Sequence, residues 1–315
     1  MTSPVTHFDL DFGITCIDVE YIRPRMACCY LIVHNGKAAI IETGTNFSVP
    51  LILQCLRDKG LSVNDVEFII PTHVHLDHAG GVGSLMQECP QATLLIHPRG
   101  ARHMIAPQKL TEACKVVYGE AEFVEMYGEL VPVEESRVQI MEDKETVSLS
   151  GRELYFLDSP GHAKHHFVIY DEMSKGVFTG DIFGACYPEL TSSKGPFIIP
   201  PTSPSQFDPD AWYGSLDRLM ELNCERAYLT HFGAVNDLLE LAVDIRRRIE
   251  SSSALALGCK SAENLFESIV EALTRETKRD LQEHGCQLGE AEFHKLLAGD
   301  IEVSAQGLEL WVSQM

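Results

Sequence analysis

The stretch Pro71-Thr72-His73-Val74-His75-Leu76-Asp77-His78-Ala79-Gly80-Gly81 decides how this chain is read. It follows Val66 to Ile70, a short apolar run that reads as a buried strand, and Pro71 ends that strand. In an extended segment, residues two apart point the same way, so His73 and His75 converge on one point. Asp77 and His78 come where the chain turns into a helix and face a second point nearby, and Gly80 and Gly81 permit the tight turn. Three imidazoles and a carboxylate in so short a span suit zinc, iron, manganese or cobalt. A structural zinc site is closed by four ligands, often cysteines, and no cysteine lies here. The cluster therefore reads as an open, catalytic metal site.

Three further places supply single ligands of the same types. Ser159-Pro160-Gly161-His162 follows a strand expected over Glu153 to Leu157. Phe178-Thr179-Gly180-Asp181 runs off the end of Gly176 to Thr179, and Leu229-Thr230-His231-Phe232-Gly233 runs off Arg226 to Thr230. Each puts one His or Asp just beyond a strand with a glycine close by, where a rigid sheet positions functional loops. Each is weak alone; together, in the same setting, they complete a ligand set.

Outward from these motifs, the first half of the chain reads as short strands with few helices. Ile14 to Tyr21, Met26 to His34 and Lys37 to Glu42 are strands, the last two joined by Asn35-Gly36, a strong hairpin signal. Val49 to Lys59 is helical, and Thr93 to His97 is a strand. Arg99 to Tyr127 is partly helical. Strands follow over Arg137 to Met141, Thr146 to Leu149, Phe167 to Tyr170 and the three runs already named. Asp208 to Leu222 is an amphipathic helix capped by Asp208. From Asn236 the periodicity is helical, over Asn236 to Ser251, Ala262 to Thr277 and Glu290 to Leu297. This divides the chain into a catalytic part, 1–250, and a helical extension, 251–315. A long Pro-, Gly- and Ser-rich loop spans Ile182 to Phe207 and includes Pro200-Pro201-Thr202-Ser203-Pro204.

Composition bounds the function. The chain has 315 residues, 45% hydrophobic and 23% charged, which suits a folded chain with a sizeable core. It has 25 Lys and Arg against 46 Asp and Glu, a formal charge of −21. So acidic a surface repels nucleic acid and anionic lipid, and the only compact basic cluster is Arg246-Arg247-Arg248. No apolar run is long enough to span a membrane, and the first residues carry no secretory pattern. The ten cysteines form no C-x-x-C pair and read as reduced, mostly buried thiols in a cytoplasmic protein.

With these residues in view, the sequence resembles the metallo-β-lactamase-fold hydrolase superfamily, nearest in style to its glyoxalase II, lactonase and thioesterase branches, over roughly Ile14 to Val235. The resemblance implies an α/β fold, an αββα sandwich with two metals at one sheet edge, here with a C-terminal helical extension. It implies that His73, His75 and His162 hold the first metal, that Asp77, His78 and His231 hold the second, and that Asp181 bridges both. Two departures stand out. The family's early D-T-G motif is Glu42-Thr43-Gly44, placing Glu42 behind the metal loop. The motif G-H-T-x-G-H is Gly161-His162-Ala163-Lys164-His165-His166, where His166 keeps its supporting place and His165 replaces a glycine.

The implied cofactors are two divalent transition metals, zinc first, with iron and manganese as alternatives. Such a pair, about 3.5–4 Å apart, brings a bridging water toward ionisation and polarises a carbonyl. Asp77 then orients the nucleophile and carries a proton to the leaving group. The expected reaction is hydrolysis of an ester, thioester or lactone in a small-molecule substrate. Alternatives within the fold are a phosphodiesterase, which the acidic surface disfavours, a di-iron oxidoreductase, which the family marks with Glu where this chain has His75, and a regulatory metal-binding protein. Phe183 and Tyr187, with Phe197, Ile198 and Ile199, are expected either to form an apolar lid or to pack the long loop, and Tyr187 to donate to the substrate carbonyl. The stripe Phe266, Ile269, Val270, Leu273 and Leu281 is read as core packing or as a homodimer face.

Overall fold

In the computed structural model, residues 6–202 and 205–315 are described. The residues at positions 1–5 lie outside that range, as do Ser203 and Pro204 of the long loop. Two sheets face each other. The first runs in order through β1 (His7–Asp9), β2 (Ile14–Asp18), β3 (Cys28–His34), β4 (Lys37–Ile41), β5 (Val66–Ile70), β6 (Thr93–Ile96) and β7 (Val138–Ile140). Its first four strands are antiparallel, and β4 to β7 are parallel. Between them stand α1 (Val49–Asp58), α2 (Leu76–Ala79), α3 (Val82–Glu88), α4 (Ala101–Ile105), α5 (Gln108–Tyr118) and α6 (Glu120–Tyr127). The second sheet comprises β8 (Thr146–Leu149), β9 (Arg152–Asp158), β10 (Phe167–Asp171), β11 (Gly176–Gly180), β12 (Arg226–Leu229) and β13 (Gly233–Val235). Its helices are α7 (Pro209–Glu221), α8 (Leu238–Gly258), α9 (Leu265–His284) and α10 (Glu290–Ser313).

Side-chain alternation explains the layering. Along β3, Cys28, Tyr30 and Ile32 point into the space between the sheets, where Phe156, Phe167, Ile169 and Phe178 meet them. Cys29 and Leu31 point outward onto α1 and α3 through Ile52, Leu56, Leu85 and Met86. A strand buried on both faces needs an unbroken apolar run, and β3 has one. Asn35 and Gly36 take φ of 49° and 75°, the left-handed pair that a two-residue hairpin loop demands. On the outer face of the second sheet, Val168, Val177 and Leu229 share one apolar cluster with Trp212, Ile245, Ile269 and Leu308. The αββα order is complete, and the helices of the extension supply part of its outer layer.

Boundaries shift in two instructive places. Helix α8 runs unbroken through Ser251-Ser252-Ser253, because Ile249, Ser253 and Ala256 face the core. Helix α10 continues to Ser313, past Gly299 and Gly307, as Ile301, Ala305, Leu308 and Val312 bury one stripe; packing overrides the weak helix propensity of glycine. Strands β1 and β13, three residues each, escaped the periodicity reading because so short a strand shows no alternation. The long loop is not open: Ala185 bridges Ile199, and Phe183, Phe197 and Ile198 are buried. No helix of the described residues is long and apolar enough to cross a membrane.

Candidate metal centre

All seven expected ligands meet at the ends of the two sheets. His73 and His75 follow β5, Asp77 and His78 lie on the one-turn α2, His162 follows β9, Asp181 follows β11 and His231 follows β12. In the first group, His73 Nε2 lies 2.9 Å from His75 Nδ1, and His162 Nε2 lies 3.0 Å from the same atom. Asp181 Oδ2 is 3.2 Å from His162 Nε2. In the second group, Asp77 Oδ2 is 3.3 Å from His231 Nε2 and 3.5 Å from His78 Nε2. Asp181 Oδ1 is 3.4 Å from His78 Nε2 and 3.5 Å from His231 Nε2. The edge of a zinc tetrahedron with ligand bonds near 2.0–2.1 Å is about 3.3 Å, so both groups have the right spacing for a transition metal. One oxygen of Asp181 belongs to each group.

The donor set fits a dication for a second reason. His78 Nε2 and Asp181 Oδ1 are buried and have no hydrogen-bond partner, though they face each other. Polar atoms buried in this way are costly unless something satisfies them. Ligand atoms of His73, His75, His162 and Asp181 lie within 4.8 Å of one another, as do those of Asp77, His78 and His231.

The far side of each ring fixes which nitrogen faces the centre. His162 Nδ1 bonds to the Pro201 carbonyl at 2.7 Å, and His231 Nδ1 to the Met26 carbonyl at 2.8 Å. His78 Nδ1 lies 2.9 Å from Glu42 Oε1, and His73 Nδ1 lies 3.1 Å from Thr72 Oγ1. Rings that donate from Nδ1 present a bare Nε2 to a metal. Glu42, 1% exposed, gathers the whole arrangement. It accepts from Thr72 N at 3.0 Å, Thr72 Oγ1 at 2.5 Å and Thr230 Oγ1 at 3.0 Å, besides facing His78. Because its Oγ1–H goes to Glu42, Thr72 can accept from His73. The longer Glu side chain thus reaches the loops ahead of both His73 and His231. His166 Nε2 accepts from the Asp181 backbone N–H at 3.2 Å. Gly180, at φ +49°, leaves the room: a Cβ there would stand 2.4 Å from Thr72 Oγ1 and 2.5 Å from His166 Nε2.

The electrostatics separate the two groups. Burial, aided by the neighbouring His78 and His75 rings, holds His73 well below the ordinary imidazole range, and burial and His162 do the same to His75. Both are neutral and ready to bind metal. Burial opposes charge on His231, but the Asp181 and Asp77 carboxylates outweigh it and set that ring at about 9. His78 is likewise raised, against burial, by Asp181, Asp77 and Glu42. His165, in the place of the family's glycine, is buried with its ring centroid 5.7 Å from that of His75, and burial pushes it down to about 3.

Sequence reasoning missed Thr72 and Thr230, the hydroxyls that carry Glu42's hold to the ligand loops. The signal was present as the repeated Thr-His pair at Thr72-His73 and Thr230-His231. It also missed the carbonyls of Pro201 and Met26, which no side-chain pattern announces. Of the expected substrate residues, Phe183 is fully buried in the core beneath the long loop. Tyr187 is 2% exposed, its ring under the Arg23 guanidinium at 4.6 Å and its hydroxyl bonded to Asp300 of α10.

Comparison with known proteins agrees with this geometry. The metallo-beta-lactamase superfamily model matches residues 22–231. The chain is 28% identical to a metallo-beta-lactamase fold-containing protein of Sulfurisphaera tokodaii over 218 residues, 68% of this chain and 75% of that one. It is 24% identical to an atrochrysone carboxyl ACP thioesterase of Pseudocercospora fijiensis over 296 residues, 90% of this chain and 74% of that one. A metallo-beta-lactamase family protein of Thermus thermophilus has a similar fold, with a TM-score of 0.67 at 19% identity, covering 96% of this chain and 93% of that one. A match over two thirds of the chain, with every ligand in place, shows that this protein belongs to the metallo-beta-lactamase superfamily.

Proposed function

We propose that the protein is a dinuclear metal-dependent hydrolase that cleaves an ester, thioester or lactone in a small-molecule substrate. One observation carries the reading: Asp181 offers one oxygen to each of two complete donor groups. His73, His75, His162 and Asp181 would hold one ion, and Asp77, His78, His231 and Asp181 the other. Two such ions, zinc before iron or manganese, would activate water near neutral pH and polarise a carbonyl oxygen. Asp77 differs from the other acids of the centre in its access: its side chain is 21% exposed, against 5% for Asp181 and 1% for Glu42. We therefore assign Asp77 to orient the attacking water and to pass its proton to the leaving group. Glu42 and His166 hold ligands in place. A net charge of −21 disfavours polyanionic substrates. The thioesterase of Pseudocercospora fijiensis and a probable hydroxyacylglutathione hydrolase of Schizosaccharomyces pombe, 24% identical over half of this chain, support an acyl substrate.

The test is turnover by metal-loaded protein of p-nitrophenyl esters, acyl thioesters, lactones and bis-p-nitrophenyl phosphate. Acyl transfer to water is expected, lost in Asp77→Asn. Phosphodiester turnover without any ester turnover would overturn the reaction class.

A further inference from the structure

Folding assembles a basic patch that no single stretch of the sequence contains. Arg99 precedes α4, Arg102 lies in its first turn, and Lys164 stands in the loop between β9 and β10 that also carries His162. All three side chains are exposed. Arg99 Nη1 donates to the Lys164 carbonyl at 3.4 Å, and Arg102 Nε donates to His103 Nε2 at 3.2 Å. Neither arginine nor Lys164 has a carboxylate partner among the described residues. In a chain with 46 acids against 25 bases that grouping stands out, since Arg218, Arg226, Arg246 and Lys278 are each ion-paired. Of the acids that line a hollow with Arg99, Asp158 pairs with His97 at 2.9 Å and Asp143 with Arg218 at 2.7 Å, while Glu142 makes no ion pair among the described residues.

The patch borders the metal centre. Of the seven ligands, His75 and Asp77 are part-exposed and the other five are buried, so the centre opens on that side. The His165 ring lies 5.7 Å from that of His75 and 6.2 Å from that of His103, centroid to centroid. Its Nδ1 accepts from the Val74 N–H at 3.4 Å, which ties it to the ligand loop. One ring therefore separates an exposed ligand from the residue that Arg102 contacts. Guanidinium forks match the paired oxygens of a carboxylate or phosphate, and unpaired cations beside a cleft draw anions toward it. The ring spacing puts such an anion several bonds from a carbonyl seated at the centre. Asp77, assigned to the leaving group, belongs to the other donor group, so the half of the substrate that passes His75 is the acyl half.

Resting on the hydrolase reading, we propose that Arg99, Arg102 and Lys164 form a site for one oxyanion, a carboxylate or a phosphate, at the far end of the substrate's acyl arm. The three cations select the substrate and take no part in bond cleavage. The overall charge of −21 still repels polyanions, so a single anionic group is what the patch admits.

The p-nitrophenyl half-ester of suberic acid, compared with the same ester methylated at its free carboxyl, tests this with metal-loaded protein. The charged ester is expected to have a KM about tenfold below that of the methyl ester, with similar kcat, and added salt should shrink the difference because the cations are exposed. Arg102→Gln and Lys164→Gln should each cut the preference about threefold, the scale of one exposed ion pair. The triple variant with Arg99→Gln should abolish it and leave turnover of the methyl ester unchanged. Lys260→Gln, the same charge change on an exposed lysine beyond α8, should leave the preference intact. An arm ending in phosphonate distinguishes the two anions: a lower KM than the carboxylate identifies phosphate as the natural group, and a higher one the carboxylate. Equal KM values for charged and methyl esters, or a preference that survives in the triple variant, would overturn the proposal. Binding of suberic acid monoamide, followed by ligand-detected NMR, gives a readout independent of turnover. If no ester is hydrolysed, the hydrolase reading fails and the monoamide decides the patch: binding lost in the triple variant supports it, and absent or unchanged binding ends it.

Discussion

Glu42 shows most sharply how one residue sets a site it never enters. Its carboxylate receives the Thr72 and Thr230 hydroxyls and faces His78, so three ligand-bearing segments are tied to one buried charge. Groups that orient metal ligands are commonly worth 10- to 100-fold in metal affinity. Glu42→Ala is therefore expected to weaken metal binding by that factor, read by competition with a chelator; unchanged affinity would mean the loops hold themselves. Asp300 gives a second prediction at this scale. Burial pushes its carboxyl up to about 6, only partly offset by the Tyr187 hydrogen bond and the His231 and Arg23 charges. A carboxyl raised in the fold binds its proton more tightly than in the unfolded chain. The fold is thus unpenalised below about pH 4 and loses stability as pH rises toward 6. Asp300→Asn removes that loss: its advantage over the wild type in denaturant unfolding should grow from near zero at pH 4 to at most about 3 kcal/mol above pH 6.5. A difference that is flat with pH would contradict this placement of Asp300.

At the scale of elements, what could be read from the chain was what has a period or a fixed geometry. The Asn35-Gly36 turn, the helix Val49–Asp58 and the strand Val66–Ile70 were legible because local chemistry decides them. The ligand loops were legible because each hangs from a strand end. The C-terminal half of α10 was not, since its helicity comes from burying Ile301 and Leu308 against distant residues. The Arg152–Asp171 pair was equally invisible: two charges nineteen residues apart become fully buried neighbours only when β9 and β10 pair. Arg152 donates from Nε at 2.8 Å and from Nη2 at 2.5 Å to the two carboxylate oxygens, and from Nη1 to the Phe12 carbonyl. Breaking such a pair strands a buried charge, at about 3–5 kcal/mol. Arg152→Met should lose that much in denaturant unfolding, and the double variant Arg152→Met with Asp171→Leu should recover most of it. A double variant no better than the single one would mean the cost is one of shape.

For the molecule as a whole, two sheets bring seven metal-binding side chains from four strand ends to one place, and the helices beyond residue 258 complete the outer layer beside them. The chain carries a formal charge of −21, and its centre holds buried His78 and Asp181 atoms that face one another without a hydrogen-bond partner. Charge and burial on this scale favour uptake of cations, and because the surrounding carboxylates raise His231 and His78 above the ordinary imidazole range, metal loading should release protons. The most direct measurement is metal stoichiometry by elemental analysis of wild type and Asp181→Ala protein after loading with zinc, iron or manganese. Two ions per wild-type chain, with a marked loss in Asp181→Ala, are expected. No more than a trace of transition metal in the loaded wild type, or two ions retained without the Asp181 carboxylate, would contradict the shared-carboxylate centre.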